Sequence, residues 1–351
     1  MRGPEASCLA AGTGRWAPRE PTDGGLYSFR AKLLPTYSGK RDVYARCDAR
    51  RRRARARRTS VVWLPSGDGC ERLVDGRGRL PPMDRLRDSF CRAFAGRSLL
   101  FVGDSIMGQW VSSFAHVLGK ANANEGECFP GQGLLPFVLD FDVCASARSA
   151  GRAPVRLRFV RNELLLFNYS DAATRPLRNA KYKQQMCEWA SKVHEAEVVV
   201  LNRGIHWQPD ESFAAVLRET LASLAALPPP ASGRRRRIVY RGTHAPVPGC
   251  NPALSPSAVS LESRLYSKYY MAHNPHHHWP DFDRQNQIAR CIARAHGALY
   301  IDVWRMMTFR PDAALDRSDC VHSCMPGPVD EWSRLLLAFL VADADGSGMT
   351  L

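Results

Sequence analysis

Short apolar runs recur along this chain, and most are followed by a stretch of helical period. The runs are Ser98 to Val102, Glu197 to Leu201 (EVVVL), Arg237 to Arg241 (RIVYR) and Ala298 to Asp302. After the first, Ile106, Trp110, Phe114 and Leu118 recur at the spacing of one helix face, which predicts a helix over Ile106 to Leu118. Further helices are predicted over Gln184 to Ala196, Ser212 to Leu227, Phe282 to His296 and Pro328 to Val341. Three prolines from Pro228 stop the second of these, and Pro328 starts the last as a first-turn residue. Val155 to Val160 and Glu163 to Phe167 read as a hairpin. Strands alternating with helices predict an α/β fold with a doubly wound parallel sheet.

The pattern also sets the domain boundaries. Residues 1–60 are rich in Gly, Pro and Arg with little period, and are expected to be disordered. Residues 61–345 are expected to form one domain, with 346–351 as a tail. Residues 119–152 read as a long irregular connection. Leu335 to Val341 (LLLAFLV) is too short to span a membrane and reads as a buried helix face. The first residues have no apolar signal core, so any signal or anchor is expected upstream of this chain.

Charge changes the picture little. Net charge is +15, but Arg50 to Arg58 holds seven arginines and Arg234 to Arg237 four; without these eleven the balance is +4. The runs read as a solvated tail and loop, and no nucleic-acid partner is expected. The eleven cysteines form no C-x-x-C, so no metal site is expected, and they fit a lumenal chain with several disulfides. Cys70 and Cys91 bracket a Gly/Pro/Arg-rich excursion that a bridge could close. The triplet Asn168-Tyr169-Ser170 is a glycosylation sequon.

Candidate chemistry lies at two places. Gly103 and Asp104 break the first strand, which puts Ser105 at a strand-to-helix turn. Its backbone N–H there could serve an oxyanion, or Ser105 could be only an N-cap. At the other end, Asp319-Cys320-Val321-His322 is a D-x-x-H whose carboxylate can reach the imidazole if both share one face of a turn. A serine nucleophile needs a base, and the base needs a carboxylate to hold its tautomer. Ser105, Asn202, Arg241 and the loop before Asp319 all follow strand ends, where doubly wound sheets bind ligands.

Two words in these regions, FVGDS…QW (Phe101 to Trp110) and DCVHSCMPGPVDEW (Asp319 to Trp332), resemble those of the PC-esterase group of the SGNH/GDSL superfamily. That group includes the plant trichome-birefringence-like polysaccharide O-acetyltransferases. LNRGIHW (Leu201 to Trp207) and YRGTHAPVPGC (Tyr240 to Cys250) are similar to two further words of the group. The resemblance covers about residues 61–342. It implies a three-layer α/β/α fold, a triad of Ser105, His322 and Asp319, and oxyanion donors at Asn202 and the Ser105 N–H. The superfamily's oxyanion glycine could fall at Gly131 or Gly133. Residence in the Golgi or ER lumen behind a membrane anchor is also implied. The chain departs from the pattern in its missing anchor, in its N-terminal segment, and at Ser323, where the group has Trp.

Acetyl transfer to polysaccharide hydroxyls through an acyl-serine is the expected function. Acetyl-CoA or another acetyl donor would be co-substrate, and no bound cofactor is expected. Two alternatives are an esterase with the same residues and water as acceptor, and a non-catalytic glycan-binding protein. Tyr266 to Pro280 would then form an aromatic sugar-binding wall. Arg203, Arg241, His206 and Trp207 are candidate substrate contacts, with carbonyl-capping arginines and a satisfied loop histidine as the simpler readings. Cys320 and Cys324 are expected to brace the His322 loop by disulfides.

Overall fold

A computed structural model of the chain describes residues 4–20, 59–119, 124–126, 138–145, 151–167, 187–246, 278–316 and 319–345. In chain order, α1 (Pro4–Ala11) and β1 (Gly14–Pro18) precede β2 (Val61–Pro65) and α2 (Met83–Ala93). Then follow β3 (Ser98–Gly103), α3 (Ser105–Val117), β4 (Asn124–Gly126), β5 (Val138–Val143) and β6 (Val155–Arg161). The second half holds β7 (Val198–Leu201), α4 (Asp210–Ala226), β8 (Arg237–Arg241), α5 (Phe282–Ala295), β9 (Leu299–Ile301), β10 (Ala314–Asp316), β11 (Asp319–Ser323) and α6 (Pro328–Asp345).

The main sheet runs β4-β5-β6-β3-β7-β8-β9. β6, β3, β7, β8 and β9 are parallel, and β4 and β5 extend one edge antiparallel. Successive strand residues point to opposite faces. Leu99, Phe101, Val200 and Val239 therefore enter one core with Phe90, Trp110, Phe114 and Leu336 of α2, α3 and α6. Leu100, Val102, Leu201 and Tyr240 enter a second core with Phe213, Leu217 and Ile292 of α4 and α5. The result is the expected three-layer α/β/α arrangement. Strand order reverses at β3, so the crevice beyond its carboxyl end lies between the loops that follow β6 and β7.

Five expectations need correction. Residues 4–20 are ordered: β1 pairs antiparallel with β2, Cys8 is bonded to Cys70, and the Asp302 N–H donates to the Leu9 carbonyl at 2.9 Å. Gly12, at φ +59°, makes this close docking possible, because a Cβ there would lie 2.6 Å from that of Asp302. Cys70 is thus not joined to Cys91, whose partner is Cys144 at the end of β5. Nor do Val155 to Phe167 form a hairpin. β6 lies between β3 and β5, and the Glu163 to Phe167 stretch is a turn pinned by Asn162, whose Oδ1 accepts from the Leu166 N–H at 3.1 Å. Within 119–152, β4 and β5 make part of the supposed irregular connection two antiparallel strands of the sheet, with β4 at its edge. Of the predicted helix Gln184 to Ala196, only Ala190–Val193 is helical among the described residues. Asn168, Gly131, Gly133 and most of Tyr266 to Pro280 lie outside the described residues. Among the described residues no helix is long and apolar enough to cross a membrane.

Candidate active site

Ser105 is the first residue of α3 and is 9% exposed. It is not the N-cap. Asp104 takes that role, its Oδ1 accepting from the Ile106 N–H at 2.9 Å and the Met107 N–H at 3.2 Å. Capping by the neighbouring carboxylate leaves the Ser105 hydroxyl uncommitted, and the Ser105 N–H is a first-turn donor with no intrahelical acceptor. Gly103 is required beside it, since a Cβ there would meet the Asn202 carbonyl oxygen and the Met107 Cβ, both at 2.9 Å.

The D-x-x-H lies in an extended segment rather than a turn, because Asp319 to Ser323 form β11 against β10. The carboxylate reaches the imidazole all the same. Asp319 Oδ1 accepts the His322 backbone N–H at 2.9 Å and the Val321 N–H at 3.2 Å, which folds the side chain back along its own strand. His322 Nδ1 then lies 2.9 Å from Oδ2. Burial pushes the Asp319 carboxyl up, but the hydrogen bond and charge of His322 and the two backbone donors outweigh it and hold the group well below the ordinary range. Cys320 and Cys324, on either side of His322, are both disulfide-bonded, as expected.

Three contacts join α3 to the His322 segment and α6. Gln109, one turn after Ser105, donates from Nε2 to the Ser323 carbonyl at 2.5 Å and accepts the Ser323 N–H at 3.1 Å. Trp110 and Trp332 meet edge to face with centroids 6.3 Å apart. Ser113 donates to Asp330 at 2.7 Å, while the Asp330 carboxylate also accepts the Gly327 N–H at 2.6 Å, as the third residue of a capping box does. Ser105 and His322 are thereby held at one end of the fold. Among the described residues no hydrogen bond joins the two side chains; such contacts commonly tighten only around substrate.

Asn202 is fully buried after β7, and its Nδ2 donates to the Arg241 carbonyl at 2.9 Å, tying β7 to β8. That leaves one amide proton for a second acceptor. Arg203 and Arg241 are both fully buried, so neither guanidinium lies on the open surface. Arg203 packs on the Phe213 ring of α4, and among the described residues none of its guanidinium nitrogens has a hydrogen-bond partner. Arg241 lies over Trp110 and Trp332, at 5.8 and 5.1 Å from their centroids. Burial lowers both guanidinium pKa values to about 10; Arg241 is partly sustained by Asp104.

His206 and Trp207 are half-buried at the rim. His206 Nε2 lies 3.1 Å from Glu163 Oε1, bridging the loops after β6 and β7 across the end of β3. Arg161 also holds Glu163, with Nε at 3.0 Å. Trp207 stacks on His278 at 3.7 Å between centroids. Sequence reasoning missed Gln109, Glu163 and His244. His244 is wholly buried, its Nε2 donating to the Val321 carbonyl at 2.8 Å, and burial beside Arg241 keeps it neutral with a pKa near 3. Gln109 lay within a motif word, but nothing local marked it as the partner of Ser323. Among the described residues no cluster of three or more His, Cys, Asp or Glu could hold a metal.

Residues 283–339 match the PC-Esterase family, described as a GDSL/SGNH-like acyl-esterase family found in Pmr5 and Cas1p. That span contains the D-x-x-H and the first two thirds of α6. No curated protein matches the chain. Among solved structures, the chain is similar to an acetylxylan esterase from Geobacillus stearothermophilus at 15% identity and a TM-score of 0.33, over 72% of this chain and 95% of that one. It is also similar to a lipase/acylhydrolase from Enterococcus faecalis at 12% identity and a TM-score of 0.36, over 71% and 96%.

Proposed function

We propose that this chain, whose residues 283–339 match the PC-esterase family, is a serine-dependent O-acetyltransferase acting on polysaccharide or glycan hydroxyls. The observation that carries the reading is the Asp319–His322 pair, oriented through Nδ1 and clamped to the Ser105 helix by Gln109. With Nδ1 bonded to the carboxylate, Nε2 is the nitrogen that accepts a proton.

In the first half-reaction His322 Nε2 takes the Ser105 hydroxyl proton as Oγ attacks the acetyl carbonyl of the donor. The Ser105 N–H and the remaining Asn202 amide proton stabilise the tetrahedral oxyanion; such a donor is typically worth about 3 kcal/mol of barrier. Collapse expels the donor's leaving group, which takes the proton from His322, and acetyl-Ser105 remains. In the second half-reaction His322 deprotonates a glycan hydroxyl, whose oxygen attacks the acyl carbon; the bond to Ser105 Oγ breaks, and His322 returns the proton to Oγ. Acetyl-CoA or a simpler acetyl ester would serve as donor. The disulfides Cys8–Cys70 and Cys91–Cys144 support an oxidising, secretory-pathway setting.

A second reading, an esterase, is favoured by the acyl-esterase description of the matched family. It uses the same groups with water as the acceptor. Mass spectrometry of glycan oligomers incubated with the protein and an acetyl donor separates the two. Acetylated oligomer formed by wild type and not by Ser105→Ala supports transfer. Free acetate dependent on Ser105 assigns hydrolysis, and turnover undiminished in Ser105→Ala overturns both.

A further inference from the structure

The Arg234 to Arg237 run, read from sequence as a solvated loop, lines a cavity of about 670 Å³. It opens at the edge of the sheet opposite Ser105. β8 enters the sheet there at Arg237 and leaves it at Arg241 beside the candidate site, about 13 Å further on. The end of α4, the turn after α5 and the end of α6 complete the walls.

The arginines are not equivalent. Arg236 is used structurally, donating to the Ala196 carbonyl at 3.2 Å and the Pro228 carbonyl at 3.0 Å, though its buried NH2 group has no partner. Arg237 pairs with Asp343. Arg234 and Arg235 are exposed and make no ion pair among the described residues. A turn closed by the Gly233 N–H on the Pro230 carbonyl at 2.8 Å sets the start of the run. Nearby, Arg97 reaches Glu197 only at 3.6 Å. Burial lowers the Arg97 pKa, with repulsion from Arg234 and Arg237 adding to it. Five guanidinium groups thus face two carboxylates, Glu197 and Asp343, both already paired.

Leu224, Leu227 and Ile238 give the cavity an apolar wall. Its volume is that of a small-molecule site. Adjacent planar guanidinium forks match tetrahedral oxyanions in bidentate fashion. We propose that this cavity is a binding site, separate from the Ser105 site, for a ligand carrying two or more clustered phosphate or sulfate groups on a carbon ring. Arg234 and Arg235 hold the oxyanions, and the ring lies against Leu227.

The test is titration calorimetry of the full chain with inorganic pyrophosphate and, separately, sucrose octasulfate at fixed salt. Two variants are compared with wild type: Arg234→Gln/Arg235→Gln, and Ala225→Trp. Ala225 is an exposed helix residue on the cavity wall, so the second variant fills the space without changing charge. The proposal predicts one site for at least one probe, weakened tenfold or more in both variants. Binding of pyrophosphate alone assigns a phosphate ester, and of the octasulfate alone a sulfated sugar. No binding of either probe overturns the proposal. So does Ala225→Trp binding as wild type does, which would mean diffuse attraction to the arginine runs. The readout is independent of acyl transfer and stands whether or not Ser105 is a nucleophile.

Discussion

Gln109 grips Ser323 from both sides, giving a hydrogen bond to its carbonyl at 2.5 Å and taking one from its N–H at 3.1 Å across 214 residues of sequence. Gln109 lies one turn beyond Ser105 and Ser323 one residue beyond His322, so the amide fixes the His322 segment against the helix that Ser105 begins. The contact uses the Ser323 backbone, so it does not depend on the side chain at that position. Gln109→Ala strands a buried N–H and a buried carbonyl. The expected loss of stability is about 2–4 kcal/mol, measured by urea unfolding. Acyl-transfer turnover should fall at least tenfold at a temperature where the variant is still folded. Unchanged stability would mean that the clamp is not formed.

Asp319→Asn leaves the size of the side chain unchanged but removes the charge that orients His322. In a serine triad such a change lowers kcat about 10⁴-fold through the wrong tautomer. The carboxyl is held below its ordinary value in the folded chain. Its contribution to stability is therefore complete above the unfolded carboxyl pKa and is lost as pH falls below it toward the folded value. Acid unfolding of Asp319→Asn should show a shallower dependence in that range. Full turnover by Asp319→Asn would remove Asp319 from the mechanism.

His244 gives a separate pH signal. Its folded pKa of about 3 lies below the ordinary histidine value, so the unfolded chain binds the proton first as pH falls. Stability from this group is complete above about pH 6.5 and declines on the way down to about 3, by up to about 1.4 kcal/mol per pH unit. His244→Gln keeps a donor for the Val321 carbonyl and does not titrate, so its unfolding free energy should depend less on pH between 6.5 and 3. A slope equal to wild type would show that His244 is not buried neutral.

Asp330 works in the other direction. Burial raises its pKa to about 6, against the pull of the Ser113 and Gly327 hydrogen bonds. The folded chain therefore binds this proton more tightly than the unfolded chain. Stability from the group is complete below about pH 4 and is lost as pH rises through 6. Asp330→Asn should flatten that fall, visible as a smaller drop in unfolding free energy between pH 4 and 7 than in wild type. An equal drop would assign the slope to other groups.

The Ser105 region is legible in the sequence because its signals are local. An apolar strand, a Gly-Asp stop and a helical period place Ser105, and a three-residue spacing places Asp319 against His322. What it hid depends on distant partners. The order of residues 4–20 rests on Trp16 opposite Trp63 in the β1–β2 register and on a disulfide spanning 62 residues. β6 was paired with its sequence neighbour because hairpins are the local option, whereas its partners are β3 and β5. Strand-end arginines read as substrate contacts or as caps of carbonyls; Arg241 is buried over two tryptophans with NH1 donating to the Gly242 carbonyl, and Arg203 is buried on Phe213. Gln109, Glu163 and His244 carry no mark until the chain is folded, since their partners are 214, 43 and 77 residues away.

Whether Ser105 is a nucleophile activated by His322 is decided by labelling the protein with a fluorophosphonate and mapping the adduct by peptide mass spectrometry. A single adduct on Ser105 is expected in wild type, abolished by His322→Ala and strongly slowed by Asp319→Asn. An adduct on another residue, or labelling of Ser105 that survives His322→Ala at the wild-type rate, would contradict it.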